Sequence, residues 1–180
     1  MIFGSRTKNN RIYFREDVEE AFNEIKDKIE TSGILYGELG YPDTFDINVN
    51  NAISIIQNLE IDSKGIYGDI KLLHTRSSKI LIEKYVRDLK INNIIDGDEL
   101  PEYINYKNYN INDEKILNWI FENYLARPRG SGITYLDEKL NCMRVRNYKI
   151  YTFDLITNEE NTMIDYLSIR NNNLNKIING

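Results

Sequence analysis

A single cysteine and a single histidine set the first limits on this 180-residue chain. Cys142 alone cannot form an internal disulfide, and with His74 as the only imidazole no Cys/His zinc site can be assembled. Cys142 is expected to be a small buried residue; a Cys142–His74 nucleophile pair has the right residue types but no local signature around it. The three prolines and ten glycines form no run, so no flexible linker divides the chain, and no internal repeat is present. No apolar stretch is long enough to span a bilayer, and the opening MIFGSRTKNN lacks the apolar run of a signal peptide. One domain over residues 1–180, folded in a cytoplasm and without a membrane partner, is the expectation.

What is present is ordinary for a folded domain: 41% hydrophobic and 28% charged residues, enough to build a core without covalent staples. The formal charge of −5 argues against a general nucleic-acid or membrane-surface binder while leaving room for a local basic patch. No metal or cofactor is implied by any motif. Glu38, Asp43 and Asp46 gather carboxylates in one short stretch, but without the spacing of a calcium-binding loop, so solvation or local capping is the expected role. Tyr103, Tyr106 and Tyr109 recur every third residue and read either as an interaction surface or as packing. No basic cluster beside them suggests stacking on nucleic acid.

The periodicity predicts a short strand at Arg11–Phe14, then a helix from Glu16 with Val18, Phe22, Ile25 and Ile29 on one face, ending at Gly33. ILYGEL reads as a strand and Gly40-Tyr41-Pro42-Asp43 as a turn. Two strands are expected around the turn Asp62-Ser63-Lys64-Gly65, followed by a helix in SSKILIEKYVRDLK capped by Ser77 or Ser78. The polar, tyrosine-rich segment Ile91–Asn112 fits no element. NDEKILNWIFENYL reads as a helix capped by Asn112 or Asp113, lined by Ile116, Ile120 and Tyr124, and ended by Pro128 and Gly130. GITYL and LNCMRVRNYKIYTFDLIT supply two or three more strands, and the tail an amphipathic arm with Met163, Tyr166, Leu167 and Ile169. The sum is an α+β domain on an antiparallel sheet or small barrel of about six to seven strands, flanked by helices.

Five stretches, in order, resemble the prohead (maturation) proteases of tailed bacteriophages. NNRIYFREDVEEAF is similar to the family's opening N-x-R-x-Y strand and helix, and GILYGELGYPD to its G-x-L-x-H-P loop. NVNNAISIIQNLEIDSKGIYGDIKLLHT resembles the paired strands that follow, ARPRGSG the S-S-R-G-x-G segment, and NYKIYTFDLIT the closing strand. The resemblance covers roughly residues 9–158 around a helical insertion at about 85–126, with a C-terminal arm at about 159–180. It implies a herpesvirus-assemblin-like fold, a small β-barrel edged by helices.

The same resemblance puts catalysis in doubt. A serine protease needs a nucleophile, a base that takes its proton, and an oxyanion site. The family's loop histidine falls on Tyr41, a phenol that stays protonated near neutral pH. Its second histidine falls on Ser54, and its two serines fall on Arg127 and Pro128, neither of which can attack a carbonyl. Ser131 lies three residues beyond Pro128, and His74 ends a predicted strand. Gly37, Gly40 and Pro42 are expected to shape the loop, and Gly130 and Gly132 a second turn. Arg127 and Arg129 read either as a solvated turn or as guanidinium forks for a carboxylate from a neighbouring subunit.

The leading expectation is therefore a pseudo-protease without catalytic residues: an auxiliary, decorating or minor capsid protein of a phage head. It would be made in the bacterial host's cytoplasm and contact the major capsid protein and other head subunits, with self-association compatible. The rival is an active maturation protease that cleaves scaffold and capsid precursors with Ser131 or Ser54 and His74. A third reading is a cytoplasmic adaptor or inhibitor of a separate, intact protease.

Overall fold

The computed structural model describes residues 1–7, 10–40, 42–96 and 110–157. Tyr41, the tyrosines at 103, 106 and 109, and the arm from residue 159 lie outside the described residues. The opening strand β1 is shorter than its pattern, Arg11–Ile12, and the helix α1 begins immediately after it, spanning Arg15–Ser32. Val18, Ala21, Phe22 and Ile25 bury the inner stripe of α1. Gly33 closes it in the left-handed region at φ 73°, returning its N–H to the Ile29 carbonyl, a conformation that favours glycine.

Strand β2 (Leu35–Glu38) pairs antiparallel with β3 (Ala52–Ile61), which pairs antiparallel with β4 (Ile66–Leu72). The β3–β4 turn is fixed by Asp62, whose carboxylate accepts from the N–H groups of Lys64 (2.6 Å) and Gly65 (2.9 Å). Helix α2 (Arg76–Ile91) is capped by Thr75, not by the serines named above. The Thr75 hydroxyl accepts from the Ser78 amide while the Ser78 hydroxyl accepts from the Thr75 amide, a reciprocal box that places Ser78 at the third helical position.

Helix α3 (Glu114–Asn123) is capped by Asp113, one of the two residues expected. It stops seven residues or fewer before the proline and glycine thought to end it, because Tyr124 already turns into an extended conformation at φ −130°, ψ 160°. From there β5 (Tyr124–Asp137) and β6 (Cys142–Thr157) form a long antiparallel hairpin. ARPRGSG is thus strand and not turn. Pro128 is accommodated because β5 is the edge of its sheet, with a hydrogen-bonding ladder on one side only.

The described strands form two open three-stranded sheets, β1-β6-β5 and β2-β3-β4, the sheet form of the expected architecture and not a closed barrel. β1 runs parallel to β6, the one exception to antiparallel pairing among these strands. The sheets meet where Leu39 bridges Leu155 and Gly40 donates its N–H to the Leu155 carbonyl at 2.9 Å. Two apolar clusters flank the seam. One packs Leu81, Ile82 and Tyr85 of α2 and Ile116 and Ile120 of α3 onto Ile53 and Leu155. The other packs α1 through Phe22 and Ile25 onto Leu35, Ile56, Val145 and Phe153. Each such side chain contributes about 1.5–3 kcal/mol when fully buried. Cys142 is fully buried, as expected.

Candidate functional site

The close approach of β2 to β6 depends on Gly37. A methyl group there would sit 2.2 Å from the Phe153 carbonyl oxygen, so only glycine lets the strands cross this tightly. The crossing delivers the two stretches singled out in the sequence to one place. Gly40, Pro42 and Asp43 of GELGYPD and Arg127, Pro128 and Gly130 of ARPRGSG line a common cleft of about 150 Å³.

A buried ionic cluster adjoins the cleft, with Arg129 and Asp154 in its lining. Arg129 in β5 donates from Nη2 to Glu38 Oε1 at 2.8 Å and to Asp154 Oδ1 at 2.9 Å, and its Nε lies 2.9 Å from Asp154 Oδ2. All three side chains are nearly sealed, at 6%, 3% and 5% exposure. The carboxylates are themselves tied to backbone: Asp154 accepts from the Glu38 amide at 2.9 Å, and Glu38 accepts from the Asn48 amide at 2.9 Å. Burial pushes the Asp154 carboxyl above its usual range, against the opposing pull of the Glu38 amide and the Arg129 guanidinium.

Arg129 also reaches the loop after β2. Its Nη1 donates to the Thr44 and Asp46 carbonyls, each at 3.0 Å. One guanidinium therefore joins β2, β5, β6 and the loop, whose residues 42–45 line the cleft. Phe45 is held on the same side by stacking on Tyr151, with ring centroids 4.7 Å apart.

These contacts revise two expectations. Glu38 is neither solvated nor a local cap; it is a buried counter-ion. Arg129 finds its carboxylates inside its own chain, so no neighbouring subunit is needed to satisfy it. The reason is topological: Glu38, Arg129 and Asp154 are far apart in sequence and meet only because three strands cross. A signal was nevertheless present in FDLI, where Asp154 stands among Phe153, Leu155 and Ile156. A carboxylate in a buried strand demands a partner.

Gly130 is likewise a close-approach residue in β5, since a methyl group there would meet the Lys149 carbonyl oxygen at 2.2 Å. Arg127 is half-buried in the cleft wall beside Tyr13 and Tyr148, whose rings meet edge to face at 5.2 Å. Burial pulls the Arg127 guanidinium below its ordinary value and pushes the Tyr148 phenol up, which keeps that hydroxyl protonated. Arg11 and Tyr13 are the arginine and tyrosine of the N-x-R-x-Y stretch, to which no site role was assigned from the sequence, and Tyr148 was not singled out.

The other named residues are dispersed. Ser54 is buried in β3, where it pairs with Gly37 on one side and Leu72 on the other. Ser131 in β5 places its hydroxyl 3.2 Å from that of Tyr151. His74 is exposed in the connection between β4 and α2. Among the described residues no helix is long and apolar enough to cross a membrane.

No family model matches the chain, and no curated protein matches it. Among solved structures, the capsid assembly protease gp21 of bacteriophage T4 is similar, with a TM-score of 0.54 and 16% sequence identity over 87% of this chain and 76% of that chain. At so low an identity the likeness is one of architecture: two small sheets with packed helices, arranged as in a phage capsid protease, give this chain a prohead-protease-like fold.

Proposed function

We propose that this chain is a bacteriophage head protein in which a prohead-protease-like fold serves as a structural component without protease activity. It acts as an auxiliary, decorating or minor capsid protein, in contact with the major capsid protein and other head subunits. The observation that carries this reading is the content of β5 at the cleft. The residues matched to the family's serines are Arg127 and Pro128, which offer no nucleophile, and their neighbour Arg129 is committed to Glu38 and Asp154. In the sequence Tyr41 stands where the family has its histidine base.

Mass spectrometry of purified particles tests the proposal. The expected result is the intact chain at a fixed copy number, with capsid and scaffold precursors left unprocessed when this chain alone is co-expressed with them. The fold likeness to a capsid assembly protease favours one rival, a serine maturation protease acting through Ser131 or Ser54 with His74. Precursor cleavage that disappears in Ser131→Ala, Ser54→Ala or His74→Ala establishes that rival and ends the structural reading. Absence of the chain from particles, with no cleavage, also removes it and points to a cytoplasmic adaptor.

A further inference from the structure

Strand β4 is the edge of its sheet, and both ends of that edge are already taken. Ile66 donates its N–H to the Met1 carbonyl at 2.8 Å, and its own carbonyl accepts from the Met1 amino group at 3.0 Å. Leu72 does the same with a side chain: its N–H meets Asn112 Oδ1 at 3.1 Å, and its carbonyl accepts from Asn112 Nδ2 at 3.1 Å. Residues of odd number turn the other way, as Leu73 shows just past β4 by donating to the Ile53 carbonyl of β3 at 2.9 Å. The irregularity in the β3–β4 ladder lies in β3, which advances from Gln57 to Glu60 while β4 steps only from Asp69 to Tyr67, so β4 keeps its period of two. Gly68 and Ile70 therefore turn their N–H and C=O groups outwards, where no partner stands among the described residues. Unpaired edge groups of this kind are a template for another strand.

An apolar cavity of about 220 Å³ lies beside these two residues, lined by both of them with Ile56, Leu59, Ala126 and Phe153. Residues directly opposite each other in an antiparallel pair share one face. A residue that exchanges hydrogen bonds with Gly68 thus directs its side chain to the face where the glycine has none, into the cavity. On the other face Asp69 is exposed, and its carboxylate accepts from a neutral group, Asn58 Nδ2, at 2.7 Å. A second copy of the chain fits this edge poorly. The register that uses both open residues of each copy sets Gly68 opposite Ile70, and it places Asp69 opposite its own counterpart, like charge against like.

We propose that the Gly68–Ile70 edge of β4 is a strand-addition site for an extended segment of a second protein with the pattern apolar–basic–apolar. The apolar residue bonded to Gly68 fills the cavity, the basic one meets Asp69, and the next apolar one packs beside Ile70. Main-chain hydrogen bonds hold the segment, and the cavity and Asp69 select it. This assignment goes beyond the role in the phage head and stands whether or not the chain is catalytic.

The test uses the full chain, backbone amide NMR and three acetylated, amidated peptides. The first is Thr-Thr-Val-Lys-Val-Thr-Thr, the second carries a central Glu in place of Lys, and the third is the first with both valine nitrogens methylated. Saturable shifts and slowed hydrogen exchange at the Gly68 and Ile70 amides are expected with the first peptide. The methylated peptide lacks the two donors that the Gly68 and Ile70 carbonyls need, and should give neither effect. The Glu peptide should bind about fivefold more weakly, since it sets like charges across the strands. Asp69→Lys, at an exposed position whose change leaves the core untouched, should reverse that order. No saturable shift, binding that leaves exchange at Gly68 and Ile70 unchanged, or equal binding of the methylated peptide overturns the proposal. So does equal affinity for the Lys and Glu peptides, or an order that Asp69→Lys does not reverse. Slow exchange of both amides in the free chain overturns it too, because the edge is then already covered by this chain or a second copy.

Discussion

Replacing Arg129 by Met tests the account of the site most directly. The methionine keeps much of the stem volume but removes the guanidinium, leaving Glu38 and Asp154 sealed from water without the cation they contact. It also strips the Thr44 and Asp46 carbonyls of their donor. Removing one partner from a buried ionic cluster typically costs about 3–5 kcal/mol, because the orphaned charges remain desolvated. A loss of about 4 kcal/mol would be a large share of a typical 5–15 kcal/mol of stability. For a chain of this length it lowers Tm by roughly 8–16 °C. Urea unfolding at pH 7 measures the loss directly.

The same variant has a pH signature. Asp154, which burial already pushes up, loses the guanidinium that opposes that push, so the penalty is absent below the unfolded pKa and grows as pH rises through the folded value. The deficit relative to the unsubstituted protein should therefore shrink between pH 7 and pH 4. A loss below about 1 kcal/mol at pH 7, or a larger one that does not change with pH, would refute the assignment of Arg129 as the buried counter-ion.

Asp154 alone makes a separate prediction. Burial raises its folded pKa above 3.8, so its ionisation opposes folding, and its contribution is most favourable below 3.8 and lost as pH rises through the folded value. Paired urea titrations should show the unsubstituted protein gaining stability over Asp154→Asn as pH falls towards 4; a gain in the opposite direction contradicts the burial argument. Gly37→Ala should cost about 1–3 kcal/mol or more, because its methyl group meets the Phe153 backbone and not a yielding side chain. Unchanged thermal stability in that variant would mean that β2 and β6 are less closely apposed. Thr75→Ala should cost about 1 kcal/mol through loss of the reciprocal cap on α2, measured by circular-dichroism melts; an unchanged melt contradicts the cap.

Much of the secondary structure was legible from local chemistry. Helix α1 announces itself through Val18, Phe22 and Ile25 and stops at Gly33, the residue suited to a left-handed cap. The β3–β4 hairpin follows from β-rich runs around Asp62 and Gly65, whose turn bonds lie within four residues. The exact cap of α2 was harder. Thr75, Ser77 and Ser78 are all capable, and the choice depends on where the chain leaves β4. The end of α3 was misjudged because Pro128 is a stop signal in a helix but is tolerated on a sheet edge, and edge status is not written in the local sequence.

Short-range periodicity and turn chemistry, which neighbouring residues dictate, were enough to read most of the elements and the likeness of the loop and strand motifs to a phage maturation protease. What the motifs do depends on contacts between distant strands. Gly37 and Gly130 serve strand crossings as well as chain shape, and Arg129 closes on Glu38 and Asp154 from 91 and 25 residues away. A buried charge selects its partner by what the fold brings within about 3 Å, because a desolvated ion gains stability only at contact distance. No local pattern carries that information, so the cluster that shapes the cleft emerged only when β2, β5 and β6 came together.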